Sequence, residues 1–195
     1  MSDTTLYIYT TSDLRGETGK TYILQVDYGQ FHACAETTIP TPVDIDSFSV
    51  SPIYGDSIMY TVKAFFHDDP RQTDYYRFFI NTDSSAYTMR GAYLGTFNDR
   101  AIGEYAKVTV NNGRNNLVHP QPSPYFDEGD VVRIKFCHID SVGYRFWKAY
   151  EDYNSEGRNP MFNAMQNLPS NVNGALGYWL GYGARYYRLP IVHGK

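Results

Sequence analysis

Four groups of side chains in this sequence carry enough chemistry to be weighed as a site. The first is oxygen-rich: His67, Asp68 and Asp69 stand together, with Asp74 a few residues on. Carboxylates gathered by a loop are what a hard cation such as calcium selects, so Asp68, Asp69 and Asp74 are the metal candidates. Against this, Asp-rich strand connections also form turns and solvated surface, and the ligand spacing of an EF-hand is absent. The second group is His32 with Cys34, which share one face if the segment is a strand. That geometry can orient a thiolate, but a closed zinc site takes three or four ligands, and a pair without further Cys or His nearby is ordinarily structural. Cys137 and His138 are adjacent and point to opposite faces of a strand.

The third group is a scatter of carboxylates: Glu36, Asp44, Asp46, Glu104, Asp127 and Glu128. Two carboxyls flanking a cleft at roughly 5–9 Å would make a glycosidase, but spacing along the chain does not say which converge. Asn98 and Asp99 read as turn caps, with ligand contact as the lesser alternative. The fourth group is aromatic. Tyr178, Trp179 and Tyr182 lie among Gly177, Gly181 and Gly183, with Tyr186 and Tyr187 beyond. Flat rings beside glycine can stack on a sugar or anchor a partner protein; alternate rings can equally fill the space between a sheet and a helix. No Gly-x-Ser-x-Gly elbow, His-Glu-x-x-His pair or phosphate-cradling glycine loop occurs. The expectation is therefore a non-enzyme with no cofactor.

Elements to position these groups follow from periodicity. With 19 Tyr and 11 Phe in 195 residues, strands are favoured, because flat rings pack well on a pleated surface. Leu6 and Ile8 alternate with Tyr7 and Tyr9 over 4–11, and Tyr22, Leu24, Val26 and Tyr28 recur at every second position. Gly29-Gln30 suits a two-residue hairpin loop returning through 31–38. Pro40 and Pro42 stiffen a connector. Further strands are expected at 47–51, 58–66, 74–81, 86–89, 105–110 and 131–139. In the last, Val132, Ile134 and Phe136 face inward, placing Cys137 on the solvent side and His138 on the buried one. A helix is predicted over 141–153, capped by Asp140 or Ser141, stopped by Gly157, and striped by Phe146, Tyr150 and Tyr153 with Tyr144 and Trp147 alongside. A final strand over 176–182 would set Leu176, Tyr178, Leu180 and Tyr182 on one face, its glycines letting another backbone or ring approach.

The formal charge of -4 argues against nucleic acid, which demands clustered Lys and Arg. No run of about 18 apolar residues crosses a bilayer, and residues 1–11 lack the features of a signal peptide. Two cysteines, Cys34 and Cys137, favour two free thiols over a bridge.

Three segments in order resemble a Bacteroidetes-type family of outer-membrane lipoproteins, domain of unknown function 4249. They are residues 19–26 with 35–47 (GKTYILQV, AETTIPTPVDIDS), residues 74–78 with 97–99 (DYYRF, FND), and Gly129-Asp130-Val131 followed by the aromatic helix, Asn159-Pro160 and 168–178 (LPSNVNGALGY). The resemblance spans Gly19 to Ala184. It implies a surface location, at the outer membrane or cell surface, through a lipid anchor that no residue here supplies. It also implies several strands ahead of the equivalent of Gly19, association with a nutrient-uptake system, and no catalytic motif to carry over.

The expected architecture is mostly β: an antiparallel β-sandwich of Ig-like type with one packed helix near 141–154. Residues 1–40 read as the closing strands of an N-terminal β domain, and 41–195 as the sandwich. The expected function is a non-catalytic, surface-exposed binding or accessory module of an outer-membrane uptake system. Its partners would be a transporter or surface protein, or a glycan or peptide ligand held by Trp179, Tyr178 and Tyr182. The alternatives are a carbohydrate- or peptide-active hydrolase using paired carboxylates, and a structural spacer.

Overall fold

The computed structural model describes residues 10–53, 58–82, 88–100, 102–113, 123–155 and 168–192. The hairpin expected at Gly29-Gln30 forms: β1 (Thr21–Tyr28) and β2 (Phe31–Thr38) pair antiparallel from Thr21↔Thr38 to Tyr28↔Phe31. Gly29 takes φ +59° there, a conformation that costs glycine little. After the proline connector come β3 (Ser47–Pro52), β4 (Met59–His67), β5 (Tyr75–Asn81), β6 (Arg90–Asn98) and β7 (Tyr105–Val110). The two-residue β8 (Phe126–Asp127), β9 (Val131–Ile139), α1 (Ser141–Ser155) and β10 (Gly183–Pro190) complete the series.

One sheet runs β10-β9-β5-β6 and the other β3-β4-β7, with β8 continuing the pairing of β4. Every paired strand is antiparallel. The period-two pattern determines what lies between the sheets. Tyr60, Val62, Ala64 and Phe66 of β4 face Tyr76, Phe78 and Ile80 of β5 and Val132, Ile134 and Phe136 of β9, all of them fully buried. Phe66, Tyr76, Phe78 and Phe136 form the aromatic centre, with ring centroids 4.8–5.2 Å apart where Phe136 meets the other three. Such pairs add to the area they remove from water. Among the described residues this is the mostly-β sandwich with one helix that the sequence predicts.

The helix lies on the outer face of the first sheet. Asp140 Oδ1 accepts a hydrogen bond from the Gly143 backbone N at 2.6 Å, the N-cap arrangement. Tyr144 meets Tyr75, and Trp147 meets Phe79 edge to face. Gly157, the expected terminator, lies outside the described residues.

Some expectations change. The expected strand over 4–11 falls mainly on residues outside the description, and Thr10 and Thr11 are in no strand. Of the strand expected at 86–89, residues 88 and 89 are in no strand and 83–87 lie outside the described residues; β6, over Arg90–Asn98, is a strand not expected from the sequence. In β6 the pairing to β5 slips between Arg77 and Phe79, and Leu94 takes φ +52°, so a bulge hides the alternation. Residues 176–182 form no strand, and β10 starts at Gly183. Tyr178 and Tyr182 still reach the helix and Trp179 reaches β1, while Leu176, expected on the face of Tyr178, is 89% exposed. The backbone of this stretch is satisfied by side chains in place of a neighbouring strand, Trp179 N donating to Asn171 Oδ1 and Gly181 N to Thr37 Oγ1.

Candidate functional site

The β4–β5 and β6–β7 connections both cross from one sheet to the other at one end of the sandwich. They are tied there by Asp68 N to Glu104 O (3.0 Å) and Asp99 N to Asp74 O (3.2 Å). This crossing brings Asp68, Asp74 and Asp99 together, with one carboxylate oxygen of each within 4.8 Å of the others. Asp74 and Asp99 are each only 8% exposed. Asp99 Oδ2 accepts from the Asp74 backbone N at 2.9 Å, while Asp99 Oδ1 is buried with no hydrogen-bond partner. Asp74 Oδ2 accepts from Gln72 Nε2 at 2.9 Å, and its Oδ1 stands 3.3 Å from His138 Nε2. Tyr76 Oη donates to Asp68 Oδ1 at 2.5 Å.

Like charges at this spacing repel by on the order of 3 kcal/mol per pair at an effective dielectric of about 20. Burial and the neighbouring Asp99 and Asp74 charges accordingly lift the Asp68 carboxyl above its usual range, against the hydrogen bond from Tyr76. Asp68 and Asp99 line a recess of about 170 Å³, rimmed by Gln72, Thr73, Arg100 and Gly103, with Asp74 behind them. That is below the roughly 300–1,000 Å³ of small-molecule pockets. A wider, open depression of about 510 Å³ adjoins it, between His67, Asp69, Arg71 and Glu104.

Of the three metal candidates read from the sequence, Asp68 and Asp74 join this cluster and Asp69 does not. Asp69 is chelated by Arg71, whose Nε and Nη2 reach its two oxygens at 2.8 and 2.7 Å, and those hydrogen bonds hold its carboxyl down to about 2. Asp99 takes its place. It lies 25 residues from Asp74, and nothing local in its segment distinguishes a ligand from a turn cap.

The aromatic candidates are divided between two surroundings. Tyr178 lies against Phe146 with the rings tilted by 32° and their centroids 3.5 Å apart, and Tyr182 Oη accepts from Trp147 Nε1 at 2.9 Å; both pack beneath or beside the helix. Trp179 donates through Nε1 to Tyr22 O at 3.2 Å and fastens the hairpin to the body. Tyr186 of β10 stands open, 69% exposed, and a further pair of open rings lies at the hairpin tip. Tyr28 is 79% and Phe31 65% exposed, and they are cross-strand partners.

The remaining carboxylates are scattered. Asp44 pairs with Arg185 and Asp46 with His67. Glu104 borders the open depression, and Asp127 and Glu128 flank the turn before β9. His32 is exposed and bonded to Asp27, beside an exposed Cys34.

Both cysteines are free, but Cys137 is not on a solvent face. It lies opposite the core, beside Arg77 in the register of β5 and β9, and is fully buried because the face it shares with Arg77 and Phe79 is covered by the helix and by Tyr182. Burial pushes its thiol up to about 12, so almost no nucleophilic thiolate forms at neutral pH. A disulfide-exchange reagent at pH 8 is expected to titrate one thiol in the native protein and two after denaturation. Cys34→Ser should bring the native count to zero; a native count of two would refute the buried setting.

Under the same helix, Arg77, 2% exposed, bonds Glu151 Oε1 through Nη1 at 2.8 Å. Thr96 Oγ1 donates to that oxygen at 2.7 Å. The guanidinium lies 3.9 Å from the Trp147 ring centroid and 4.8 Å from that of Phe79. This pair is sealed from solvent and serves the fold.

Among families of known sequence, the model described as Domain of unknown function (DUF4249) matches residues 1–188. No curated protein and no solved structure matches this chain. Among the described residues, no helix is long and apolar enough to cross a membrane.

Proposed function

The chain belongs to the DUF4249 family, and from that premise we propose that it is a non-catalytic, surface-exposed binding or accessory module of an outer-membrane nutrient-uptake system, held at the cell surface by a lipid anchor. The observation that carries this reading is the hairpin tip. Val26, Tyr28 and Phe31 are 49%, 79% and 65% exposed, and among the described strands β1 has β2 as its one neighbour. Exposed rings beside an open strand edge suit a protein partner that adds a strand, main-chain hydrogen bonds giving affinity and alternate side chains giving selectivity. A sugar site would instead need a ring of polar side chains around the stacking face.

The carboxylate geometry counts against the hydrolase alternative. Of the three carboxylates that converge, Asp68 and Asp99 line a recess of about 170 Å³, too small for a sugar ring with its attacking water. A combined peptide and glycan array on the purified chain, run beside a chromogenic glycoside and peptide panel, tests the reading. Capture of extended peptides, lost in Tyr28→Ser/Phe31→Ser, is the expected result. Capture of glycans alone removes the strand-edge partner, turnover on the chromogenic panel restores the hydrolase, and silence throughout leaves the spacer.

A further inference from the structure

We propose that Asp68, Asp74 and Asp99 form a calcium site that ties the two sheets together where the β4–β5 and β6–β7 connections cross. This goes beyond the binding role proposed above and does not depend on it. The ligand set is all oxygen and all carboxylate, which selects a hard cation over zinc or copper. The spacing admits calcium: the three carboxylate oxygens lie within 4.8 Å of one another, and oxygens around a calcium ion, at about 2.4 Å each, stand no more than about 4.8 Å apart. Magnesium, at about 2.1 Å, demands a tighter octahedron.

A group of acids alone does not make a site, but Asp99 adds a second fact. It is 92% removed from solvent, being 8% exposed. It contributes an oxygen to the cluster, and its Oδ1 is buried with no donor facing it. Folded proteins rarely leave a buried carboxylate oxygen so unless an ion or water completes it. The protein cations at hand are few: His138 offers at most one charge, to Asp74, and Arg100 stands on the rim. Gln72, whose amide already touches Asp74, gains a fourth oxygen ligand by turning its amide over, a change that amide geometry permits.

Position supplies the consequence. Asp68 follows β4 of one sheet, while Asp74 precedes β5 and Asp99 follows β6 of the other, so an ion among them is a clamp across the sandwich. With three protein carboxylates and the rest water from the open recess, the affinity belongs with extracellular modules, about 10⁻⁴ to 10⁻³ M.

The test uses the whole chain freed of metal with a chelator. Terbium, excited through tyrosine, should luminesce, since the Tyr76 hydroxyl sits on Asp68, and calcium should displace it. Calcium at about 10 mM should raise the thermal midpoint by about 3–6 °C, with magnesium giving less. Asp99→Asn, which keeps an acceptor for the Asp74 N–H, should weaken both responses at least about tenfold, whereas Asp69→Asn, one residue from the site but turned to Arg71, should leave them intact. Asp68→Asn serves as the second variant should Asp99→Asn fail to fold. The proposal falls if calcium moves neither signal. It falls equally if Asp69→Asn loses as much as Asp99→Asn, or if magnesium matches calcium.

Discussion

Arg77→Leu should lower the unfolding free energy by about 3–5 kcal/mol, the usual cost of removing one member of a buried ion pair. In the native protein, Glu151 Oε1 is held by Arg77 and Thr96, and Glu151 Oε2 has no partner. Without the guanidinium, a carboxylate that is 9% exposed is left with a single hydroxyl donor. The variant also leaves a void between Trp147 and Phe79, which the guanidinium now spans. Arg77→Leu/Glu151→Leu should recover most of the loss, because an apolar pair of similar volume has no ions to desolvate. Denaturant unfolding of the two single variants and the double variant reads the coupling directly. A loss below about 1 kcal/mol for Arg77→Leu would mean that water reaches the pair.

The same pair fixes a pH dependence. Burial raises the Glu151 carboxyl above its unfolded value despite the help of Thr96 and Arg77. The folded state therefore holds that proton more tightly than the unfolded chain, and stability from this group is complete below the ordinary glutamate range and declines as pH rises through the raised value. Glu151→Gln removes the titration, so any advantage of wild type over this variant should shrink between acid and neutral pH. A gap that widens instead would show that Arg77 outweighs burial.

The sandwich was legible because period-two burial is a local signal. Met59 to His67 alternates throughout and Val131 to Phe136 does so up to Cys137, and the helix face at Phe146 and Trp147 reads from spacing alone. What the sequence hid is of two kinds. In β6 the slip in register and the positive φ of Leu94 disrupt the period, so the strand looks like loop. The acidic cluster depends on topology: Asp68 and Asp74 are neighbours along the chain, but Asp99 arrives only because two connections cross the sandwich at the same end. The burial of Cys137 is hidden from the sequence for a related reason. Strand alternation says which face a side chain takes, and only the placement of the helix and of residues 176–182 says that the second face is covered. Rings beside glycine at 178–182 signal an aromatic cluster, but these rings pack against the helix and the hairpin, and the open pair lies at Tyr28 and Phe31, where the hairpin is a two-stranded sheet of its own.

The glycines carried more information than the rings beside them, and Gly174→Ala should show it. Gly174 has φ +84°, and a Cβ there would stand 2.1 Å from the His32 carbonyl oxygen, a backbone atom that cannot swing away. The left-handed conformation alone costs an alanine about 1–2 kcal/mol, and steric displacement of backbone adds about 1–3 kcal/mol. The strain falls on the seam between the hairpin and the C-terminal segment. There Cys34 and Asn173 exchange backbone hydrogen bonds at 3.0 and 2.8 Å, Trp179 reaches Tyr22 O, and Gly181 N donates to Thr37. If the hairpin is a unit separate from the sandwich, as a boundary near residue 40 requires, the loss stays local. Amide exchange at Cys34 and Asn173 should then quicken by about 30- to 5,000-fold, matching about 2–5 kcal/mol, and Trp179 emission should shift to the red while amides of β4, β5 and β9 keep their protection. Equal loss of protection throughout would instead make hairpin and sandwich one cooperative body, and unchanged exchange at Cys34 would mean that the seam yields without cost.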